Sequence, residues 1–230
     1  MKDPAIALSS VAKSFTMHLQ GGAKLPAVKD ISFHVDFGEC VVLHGPSGAG
    51  KSSILKMIYG NYRCDVGRVA VRQGNVETDV AIAPPRRILA LRKTTIGYVS
   101  QFLRVMPRVP ALEIVAEAAR EQGATAEAAE ARAGAMLRRL NVPERLWRLP
   151  PATFSGGEQQ RVNIARGLVA RHPILLLDEP TASLDAANRG NVVELIAEKK
   201  AAGVAILGIF HDEDVRARVA DRVIELRSAA

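Results

Sequence analysis

The sequence predicts an α/β fold built on a mainly parallel sheet, and three features support this class. An apolar run at residues 40–44 leads directly into a glycine-rich loop, and a helix is expected from Lys51 to about Tyr59. A second unbroken apolar run, residues 174–177, is typical of a strand that is covered on both faces. Strands and helices then alternate to the end of the chain, and this order is typical of a parallel sheet with helices packed on it.

Short strands separated by turns account for the part of the chain before the helical region. Turns are expected at Gly21-Gly22 and at residues 36–38, where glycine breaks the apolar pattern. The predicted strands are residues 6–8, 31–35, 39–44, 68–71 and 95–100. This region is therefore expected to be mostly β-structure around the glycine-rich loop.

A helical block follows between about residue 111 and residue 171. Apolar residues recur there at the spacing of two amphipathic helices, and Thr125 is the expected N-cap of the second. The later predicted elements are a helix at 157–170, a strand at 174–177, a helix at 186–202, a strand at 204–210 and a short helix at 212–219. The helical block would therefore be an insertion into the α/β core.

Composition limits the classes of protein that fit the chain. Its 31 Lys and Arg exceed its 24 Asp and Glu, and the net charge of +7 favours anionic partners such as nucleotides. An aromatic content of 4% disfavours a nucleic-acid partner, because single-strand binders need stacking surfaces. No apolar stretch approaches the roughly 18 residues of a membrane span, and no secretory signal is visible. With only Cys40 and Cys64 as thiols, we expect a reduced, cytoplasmic setting without membrane insertion.

The glycine-rich loop matches the phosphate-binding pattern G-x-x-x-x-G-K-[ST]. Its residues are Gly45, Pro46, Ser47, Gly48, Ala49, Gly50, Lys51 and Ser52. Backbone amides of such a loop turn towards phosphates at a helix N-terminus, Lys51 can reach the outer phosphates, and the Ser52 hydroxyl can bind Mg²⁺. The alternative, an ordinary glycine-rich turn, is disfavoured by the apolar strand directly before it.

A pair of acids follows the second apolar strand. The strand at 174–177 delivers Asp178 to the carboxyl end of the sheet, where ligands bind in such folds. Asp178 can hold Mg²⁺, which prefers oxygen ligands, and Glu179 can orient or deprotonate an attacking water. A hydrophobic-Asp-Glu sequence alone is common, so its weight comes from its combination with the phosphate loop.

A third glycine-rich segment indicates the family. Ser155, Gly156, Gly157 and Glu158 begin a predicted helix and form a second candidate anion site. This segment resembles the signature motif of ABC-type ATPases, with Glu158 at a position where that family usually has Gln. Further family elements follow the same order: Phe15 for adenine stacking, Gln101, Asp185 and His211. Taken singly, Phe15 could be a core residue, Gln101 a surface amide and His211 structural.

The resemblance covers the chain from about Ile6 to Leu226 and implies a P-loop NTPase fold of the ABC type. Such a domain has a RecA-like core, an antiparallel β subdomain and a helical subdomain. The expected division places the ATP core and β subdomain at about 1–101 and 173–230, and the helical subdomain at about 102–172. Two such domains pair head-to-tail, so that each ATP lies between the phosphate loop of one subunit and residues 155–158 of the other.

The resemblance also implies a role for each site residue, with ATP and Mg²⁺ as the cofactors. Lys51, Glu179 and His211 would be catalytic, and Ser52, Gln101 and Asp178 would hold the metal. The nucleotide would be bound by Phe15, Gly45, Pro46, Ser47, Gly48, Ala49, Gly50, Lys51, Ser52, Ser53, Gln101, Ser155, Gly156, Gly157, Glu158 and Asp185.

Three stretches, residues 92–108, 140–147 and 209–213, resemble the L-type ATP-binding subunits of bacterial phosphonate carbon–phosphorus lyase systems. That resemblance implies an ATP-hydrolysing subunit that supports formation of ribose 1-phosphonate 5-triphosphate by coupling dimer closure to a larger soluble complex. The expected partners are a second ABC ATPase subunit, identical or related, and the lyase core complex. The alternative is the ATPase subunit of a lipoprotein-release or macrolide-type exporter, whose general pattern shares the first stretch.

Three smaller features stay open at the level of the sequence. The apolar residues at 102–106 form either a docking surface or a partly buried loop. Trp147 is either a core anchor of the helical block, which we favour, or an interface residue. Cys40 and Cys64 show no cluster-ligand pattern, so they are interpreted as ordinary thiols.

Overall fold

Two separate β-sheets organise the chain in the computed structural model, which describes residues 3–17, 21–101, 103 and 108–228. The strands are β1 (Ile6–Met17), β2 (Ala23–Val35), β3 (Cys40–His44), β4 (Val66–Gln73), β5 (Val76–Asp79), β6 (Ile96–Val99), β7 (Ile174–Asp178), β8 (Ala205–Ile209) and β9 (Arg222–Glu225). The helices are α1 (Lys51–Ile58), α2 (Pro85–Thr94), α3 (Ala111–Arg120), α4 (Ala126–Arg139), α5 (Gly156–Val169), α6 (Ala186–Ala201) and α7 (Glu213–Val219). The predicted α/β class is confirmed.

The larger sheet is parallel and has the strand order β6-β7-β8-β3-β9. Every residue of β7 and β8 is buried, as expected for strands that are covered by helices on both faces. Because the strands run in one direction, the residues that follow β3, β6, β7 and β8 meet at one edge of the sheet. That edge carries the phosphate loop, Gln101, Glu179 and His211.

The smaller sheet is antiparallel, with the order β2-β1-β4-β5. Its strand β1 has Ile6 opposite both Val35 and Val71, and carries Phe15 near its other end. Strand β2 also passes close to the phosphate loop: a Cβ atom added to Gly50 would lie 2.1 Å from the carbonyl oxygen of Ala27. The smaller sheet therefore borders the phosphate loop directly.

Helices α3, α4 and α5 pack on one another and join the parallel sheet through α5. Asn163 donates from Nδ2 to the carbonyl oxygen of Ser100 at 2.6 Å, just after β6. A single hydrophobic cluster runs from Leu137 of α4 to Leu177 of β7. The helices and the sheet therefore share one core, and this core does not mark a boundary between them. The division of the chain at 102–172 into a helical subdomain stays a prediction.

Trp147 anchors the connection after α4 with one face of its ring. Its Nε1 donates to the carbonyl oxygen of Val142 at 2.9 Å, and its ring lies against Gly134, where an added Cβ would be 3.1 Å away. The Trp147 side chain is half-buried, and the guanidinium of Arg138 lies 5.3 Å from its ring centroid. The preference for a core anchor is therefore right for one part of the ring.

Most elements lie within one to three residues of their predicted positions, although the first two strands are much longer than expected. Thr125 caps α4 as predicted, since its side chain accepts from the Ala128 amide. The sequence patterns did not predict α2, β5 and β9. Helix α2 begins after Pro84, has Leu91 as its buried residue and contains four basic residues among its ten, so it lacks the apolar content by which the other helices were predicted.

Two further observations concern the predicted membrane and docking features. Among the helices that the described ranges contain, none combines the length and the apolar character that a membrane span requires. Leu103 is buried, whereas the rest of the 102–106 segment lies outside the described residues, so both interpretations of that segment, a docking surface or a partly buried loop, stay open.

Candidate functional site

The phosphate loop lies between β3 and α1 and presents a helix N-terminus. Its N-cap, Gly50, is left-handed at φ 84° and has no side chain to cover the amides of the first turn. Lys51 is buried, and its Nζ donates to the carbonyl oxygens of Gly45 at 2.7 Å and Pro46 at 2.8 Å. The free amides and the positive helix end favour an anion, and the lysine adds a cation beside them. The loop therefore fits the phosphates of a nucleotide.

Ser52 and Asp178 form an oxygen pair beside this loop. The Ser52 hydroxyl donates to Asp178 Oδ1 at 3.0 Å, although 126 residues separate the two in sequence. Asp178 is 5% exposed, and its Oδ2 accepts from the Tyr98 hydroxyl at 2.8 Å. Burial, and then the Asp178 carboxylate, raise the pKa of Tyr98 above its usual range, so that the hydroxyl keeps its proton.

The donor chemistry of this pair fits Mg²⁺. A hydroxyl and a carboxylate are oxygen ligands, and Mg²⁺ commonly takes one or two carboxylates together with waters and substrate phosphates. Within the residues that the structure describes, no group of three or more His, Cys, Asp and Glu side chains could hold a metal. Apart from the predicted contribution of Gln101, a metal at Ser52 and Asp178 would therefore take its remaining ligands from phosphate oxygens and waters.

Glu179 brings together side chains that follow three neighbouring strands. Gln101 donates from Nε2 to Glu179 Oε2 at 3.0 Å, and His211 Nε2 lies 2.7 Å from Oε1. Glu179 has φ 52°, a left-handed conformation that costs a non-glycine residue about 1–3 kcal/mol and is found most often at functional sites. The side-chain amide of Gln101 thus contacts Glu179 rather than Asp178, and its predicted role as a metal ligand stays a prediction.

The loop that carries His211 is held by an ion pair that the sequence did not predict. Arg189 of α6 pairs with the carboxylate of Asp212, which also caps α7 by accepting from the Val215 amide at 3.1 Å. The His211 side chain itself is 61% exposed. His211 is therefore fixed at its base and open towards a ligand.

The signature segment forms a complete helix N-terminus at α5. Ser155 is the N-cap, and a capping box joins its side chain to the Glu158 amide and the Glu158 side chain to the Ser155 amide. Hydrogen bonds from the Ser155 hydroxyl and amide hold the pKa of Glu158 below its usual range. The departure from the family pattern at Glu158 therefore has a structural explanation, because a capping box takes Glu or Gln equally well.

Asp185 and Phe15 complete the predicted set at two other places. Asp185 is the N-cap of α6 and accepts from the Asn188 amide at 2.8 Å, which lowers its pKa. Phe15 meets the ring of Tyr62 edge-on, with centroids 5.2 Å apart, beside a cleft of about 570 Å³. Tyr62 was not predicted, because an isolated tyrosine after a helix gives no sequence signal for a ligand.

Replacing Ser155 with Ala tests whether the cap of α5 also serves the nucleotide. Loss of the N-cap is expected to lower the free energy of unfolding by about 1 kcal/mol, and also to raise the ATP concentration needed for hydrolysis. Thr125→Ala is the matched control, because it also removes a helix N-cap, that of α4, at a residue outside the predicted nucleotide site. Equal ATP dependence in the two variants would show that Ser155 has only a structural role. Denaturant unfolding and steady-state kinetics measure the two effects.

Neither cysteine belongs to this site. Burial raises the pKa of the Cys40 thiol to about 12, and Cys64 is partly exposed in the connection before β4. Both thiols are free, and the raised pKa of Cys40 makes that thiol unreactive at neutral pH. The interpretation as ordinary thiols agrees with these positions.

Comparison with known proteins gives consistent relatives. Residues 28–182 match the family described as ABC transporter. The lipoprotein-releasing system ATP-binding protein LolD 2 of Caulobacter vibrioides is 38% identical over 228 residues, covering 99% of this chain and 96% of that protein. The macrolide export ATP-binding/permease protein MacB of Bradyrhizobium diazoefficiens is 36% identical over 227 residues, covering 99% of this chain. The chain spans only about a third of the length of the macrolide export proteins that it matches.

A solved structure of the ATP-binding cassette MJ0796 has the same fold. The dimeric structure of this bacterial ABC transporter cassette superposes with a TM-score of 0.87 and 31% identity, covering 97% of this chain and 94% of that one. A second dimeric structure of MJ0796, in a post-hydrolysis state bound to ADP and Pi, gives the same TM-score at 30% identity.

Proposed function

Because the chain belongs to the ABC transporter family, we propose that it is an ATP-hydrolysing subunit that works as a head-to-tail dimer on a partner protein. The observation that carries this proposal is the meeting of Ser52, Asp178 and Glu179 beside the phosphate loop at one edge of the sheet. These residues come from distant parts of the chain, and together they match the requirements of phosphate-bond hydrolysis.

Each residue has a physical task in the proposed reaction. The backbone N–H groups of residues 45–53, except Pro46, which has none, bind the phosphates, and Lys51 leaves the carbonyl oxygens of its own loop to contact the outer phosphates. Ser52 and Asp178 hold Mg²⁺, which when bound would offset the charge on the phosphates. Phe15 stacks on the base.

Glu179 would act on the attacking water. Its oxygens accept from Gln101 and His211, which orient the carboxylate, and a remaining lone pair can accept a hydrogen bond from water. The carboxylate then takes the water proton as the oxygen attacks the terminal phosphorus, and ADP leaves. His211, which is exposed and adjacent, would contact the terminal phosphate.

The second half of each site would come from another subunit. Ser155 and the amides of Gly156 and Gly157 lie at the N-terminus of α5, which is a second candidate anion site besides the phosphate loop at α1. Two MJ0796 structures of this fold are dimeric, and one of them holds ADP and Pi. These observations support a dimer in which residues 155–158 close on the nucleotide of the partner.

A mixing experiment tests the head-to-tail arrangement. Lys51→Ala should disable the phosphate loop, and Gly156→Asp should place a carboxylate at the signature segment, where an added Cβ meets nothing within 4 Å. Each variant alone should be nearly inactive, whereas an equal mixture should recover about a quarter of the wild-type rate, since half of the symmetric dimers are mixed and have one intact site. An inactive mixture of folded variants would contradict a head-to-tail homodimer. Inactivity of the wild type alone would instead indicate a related ATPase as the second subunit.

For the partner, the first candidate is a membrane permease of the lipoprotein-release or macrolide-export class. The relatives named above carry these functions, and LolD 2 matches this chain over nearly its whole length. On this proposal the subunit works at the cytoplasmic face of the membrane and transmits dimer closure to the permease. The comparisons favour this candidate over the second one.

The second candidate is the phosphonate carbon–phosphorus lyase complex. It rests on the resemblance of residues 92–108, 140–147 and 209–213 to that system's L-type ATPases. Leu140, Val142 and Leu146 of the second stretch are buried. Trp147 lies against Gly134 and, with the exposed Arg145 and Arg148, lines a cavity of about 690 Å³, which is called the Trp147 surface below. On this proposal the ATPase cycle supports formation of ribose 1-phosphonate 5-triphosphate.

Stimulation of ATP hydrolysis distinguishes the two candidates. The purified protein is assayed alone, with a reconstituted permease of the export class from the same organism, and with the phosphonate lyase core. Stimulation and stable association with only one of these assemblies would identify the partner. Growth of a deletion strain on an alkylphosphonate as the only phosphorus source provides an independent check, because only the second candidate predicts a growth defect.

A further inference from the structure

We propose that Tyr98 is a positioning residue that fixes the Asp178 carboxylate for Mg²⁺ through its hydroxyl. The inference rests on the proposed function, which assigns Asp178 to the metal. It goes beyond that function because the phosphate-loop and acidic motifs do not include Tyr98, which lies on the neighbouring strand β6. The contact between them is a hydrogen bond of 2.8 Å from the tyrosine hydroxyl to Asp178 Oδ2.

The two oxygens of Asp178 have different partners. Oδ1 faces the Ser52 hydroxyl at 3.0 Å, on the side of the phosphate loop, and Oδ2 faces Tyr98. Asp178 is 5% exposed, so little water can replace a lost donor, and a buried charged group without a partner is unfavourable. The tyrosine hydroxyl therefore satisfies one oxygen and leaves the other directed at the site where the metal is expected.

The Tyr98 ring is itself held in place. It stacks on Tyr59 with centroids 5.0 Å apart and an interplanar angle of 26°. The Arg92 guanidinium covers the Tyr59 ring at 4.5 Å, and Arg92 also donates to the Tyr59 carbonyl oxygen at 2.9 Å and to Asn61 Oδ1 at 2.7 Å. A ring supported in this way cannot easily rotate its hydroxyl away from Asp178.

This stack also connects the metal site to a cleft. Tyr59, Tyr98 and Arg92 line a cavity of about 590 Å³ that reaches Asp178 and is bordered on its other side by α5. Tyr98 thus links the Tyr59 and Arg92 side of this cleft to the Asp178 carboxylate. Side chains that orient a metal ligand in this way typically alter metal affinity by about 10- to 100-fold when they are replaced.

The test uses Tyr98→Phe, which removes only the hydroxyl, with Tyr59→Phe as the matched control in the same aromatic pair. Binding of a fluorescent ATP analogue to the full chain is measured in EDTA and across a Mg²⁺ titration. We expect Tyr98→Phe to raise the Mg²⁺ concentration for half-maximal effect at least about 10-fold, with unchanged binding in EDTA. Tyr59→Phe should titrate like the wild type.

Several outcomes would overturn the inference. An unchanged Mg²⁺ titration of Tyr98→Phe, or an equal shift in Tyr59→Phe, would show that the hydroxyl does not act through Asp178. Weaker analogue binding in EDTA would indicate a packing defect instead. In an Asp178→Asn background, adding Tyr98→Phe should change the Mg²⁺ dependence no further, and an additional shift would also contradict the inference. If the wild type itself showed no Mg²⁺ dependence, the assignment of Asp178 in the proposed function would fail, which is a distinct result.

Discussion

Glu179→Gln is expected to lower ATP turnover by about 10²- to 10⁴-fold, the range that a general base contributes. The amide cannot accept the proton of the attacking water, although it has nearly the shape of the carboxylate. Its oxygen can still accept a hydrogen bond from Gln101 or His211, so the surrounding side chains should keep their places. ATP binding should therefore persist, and the ATP-bound dimer should accumulate because hydrolysis no longer releases it.

The control is the same substitution at Glu158. That residue is in the capping box of α5, where Gln can replace Glu, so Glu158→Gln should retain turnover and stability. Single-turnover hydrolysis and size-exclusion chromatography with Mg-ATP measure rate and dimer in both variants. Near-normal turnover in Glu179→Gln would show that the proton is accepted elsewhere, and an equal loss in Glu158→Gln would point to a general effect of removing negative charge.

Glu179→Gln also tests whether the partner needs ATP hydrolysis or only ATP binding. If hydrolysis drives the partner, Glu179→Gln should assemble with that partner yet fail to support its activity in cells. If ATP binding alone closes a clamp, and turnover is incidental, the variant should support the activity. Because Glu179 contacts no residue at the Trp147 surface in the described contacts, a loss of function with retained assembly would be assigned to hydrolysis.

Local patterns in the sequence predicted the parts of the site that are continuous in the chain. The phosphate loop was predicted directly from its pattern after an apolar strand, and Asp178 and Glu179, which follow a common kind of apolar run, gained their weight from the combination with that loop. The meeting of Glu179 with Gln101, 78 residues earlier, and with His211, 32 residues later, depended on the family resemblance. Spacing alone does not fix which strands become neighbours in a sheet.

Other features could not be read from sequence for physical reasons. Tyr98 lies in a strand whose apolar neighbours predict packing, and nothing local indicates that its hydroxyl meets a carboxylate on the next strand. Arg189 and Asp212 pair between two helices, where charged residues normally face solvent. Helix α2 is short and has four basic residues among its ten, so few apolar residues mark it in the sequence, and contacts such as the Arg92 hydrogen bond to the Tyr59 carbonyl oxygen hold it on the fold.

Gly50→Ala is the second substitution for which we expect a large effect. Gly50 is left-handed at φ 84°, and an added Cβ would lie 2.1 Å from the Ala27 carbonyl oxygen and 2.7 Å from Val28 Cγ2. The left-handed strain of about 1–2 kcal/mol adds to an overpacking cost of about 1–3 kcal/mol, so the free energy of unfolding should fall by about 2–5 kcal/mol. A displaced loop should also weaken catalysis, since a shift of about 1 Å can cost about 10²-fold.

Gly48→Ala is the matched control for this prediction. Gly48 has nearly the same φ of 82°, yet an added Cβ there meets nothing within 4 Å. Its free energy of unfolding should therefore show only the strain of about 1–2 kcal/mol. Denaturant unfolding and ATP binding of both variants provide the comparison, and equal losses in the two would mean that strain alone, and not contact with β2, accounts for the effect.

Adding Val28→Ala to Gly50→Ala should give little rescue, because the closest clash is with a backbone oxygen that no side-chain substitution removes. The position of the phosphate loop would then be set by the backbone of the antiparallel sheet, which would explain why residue 50 has to be glycine.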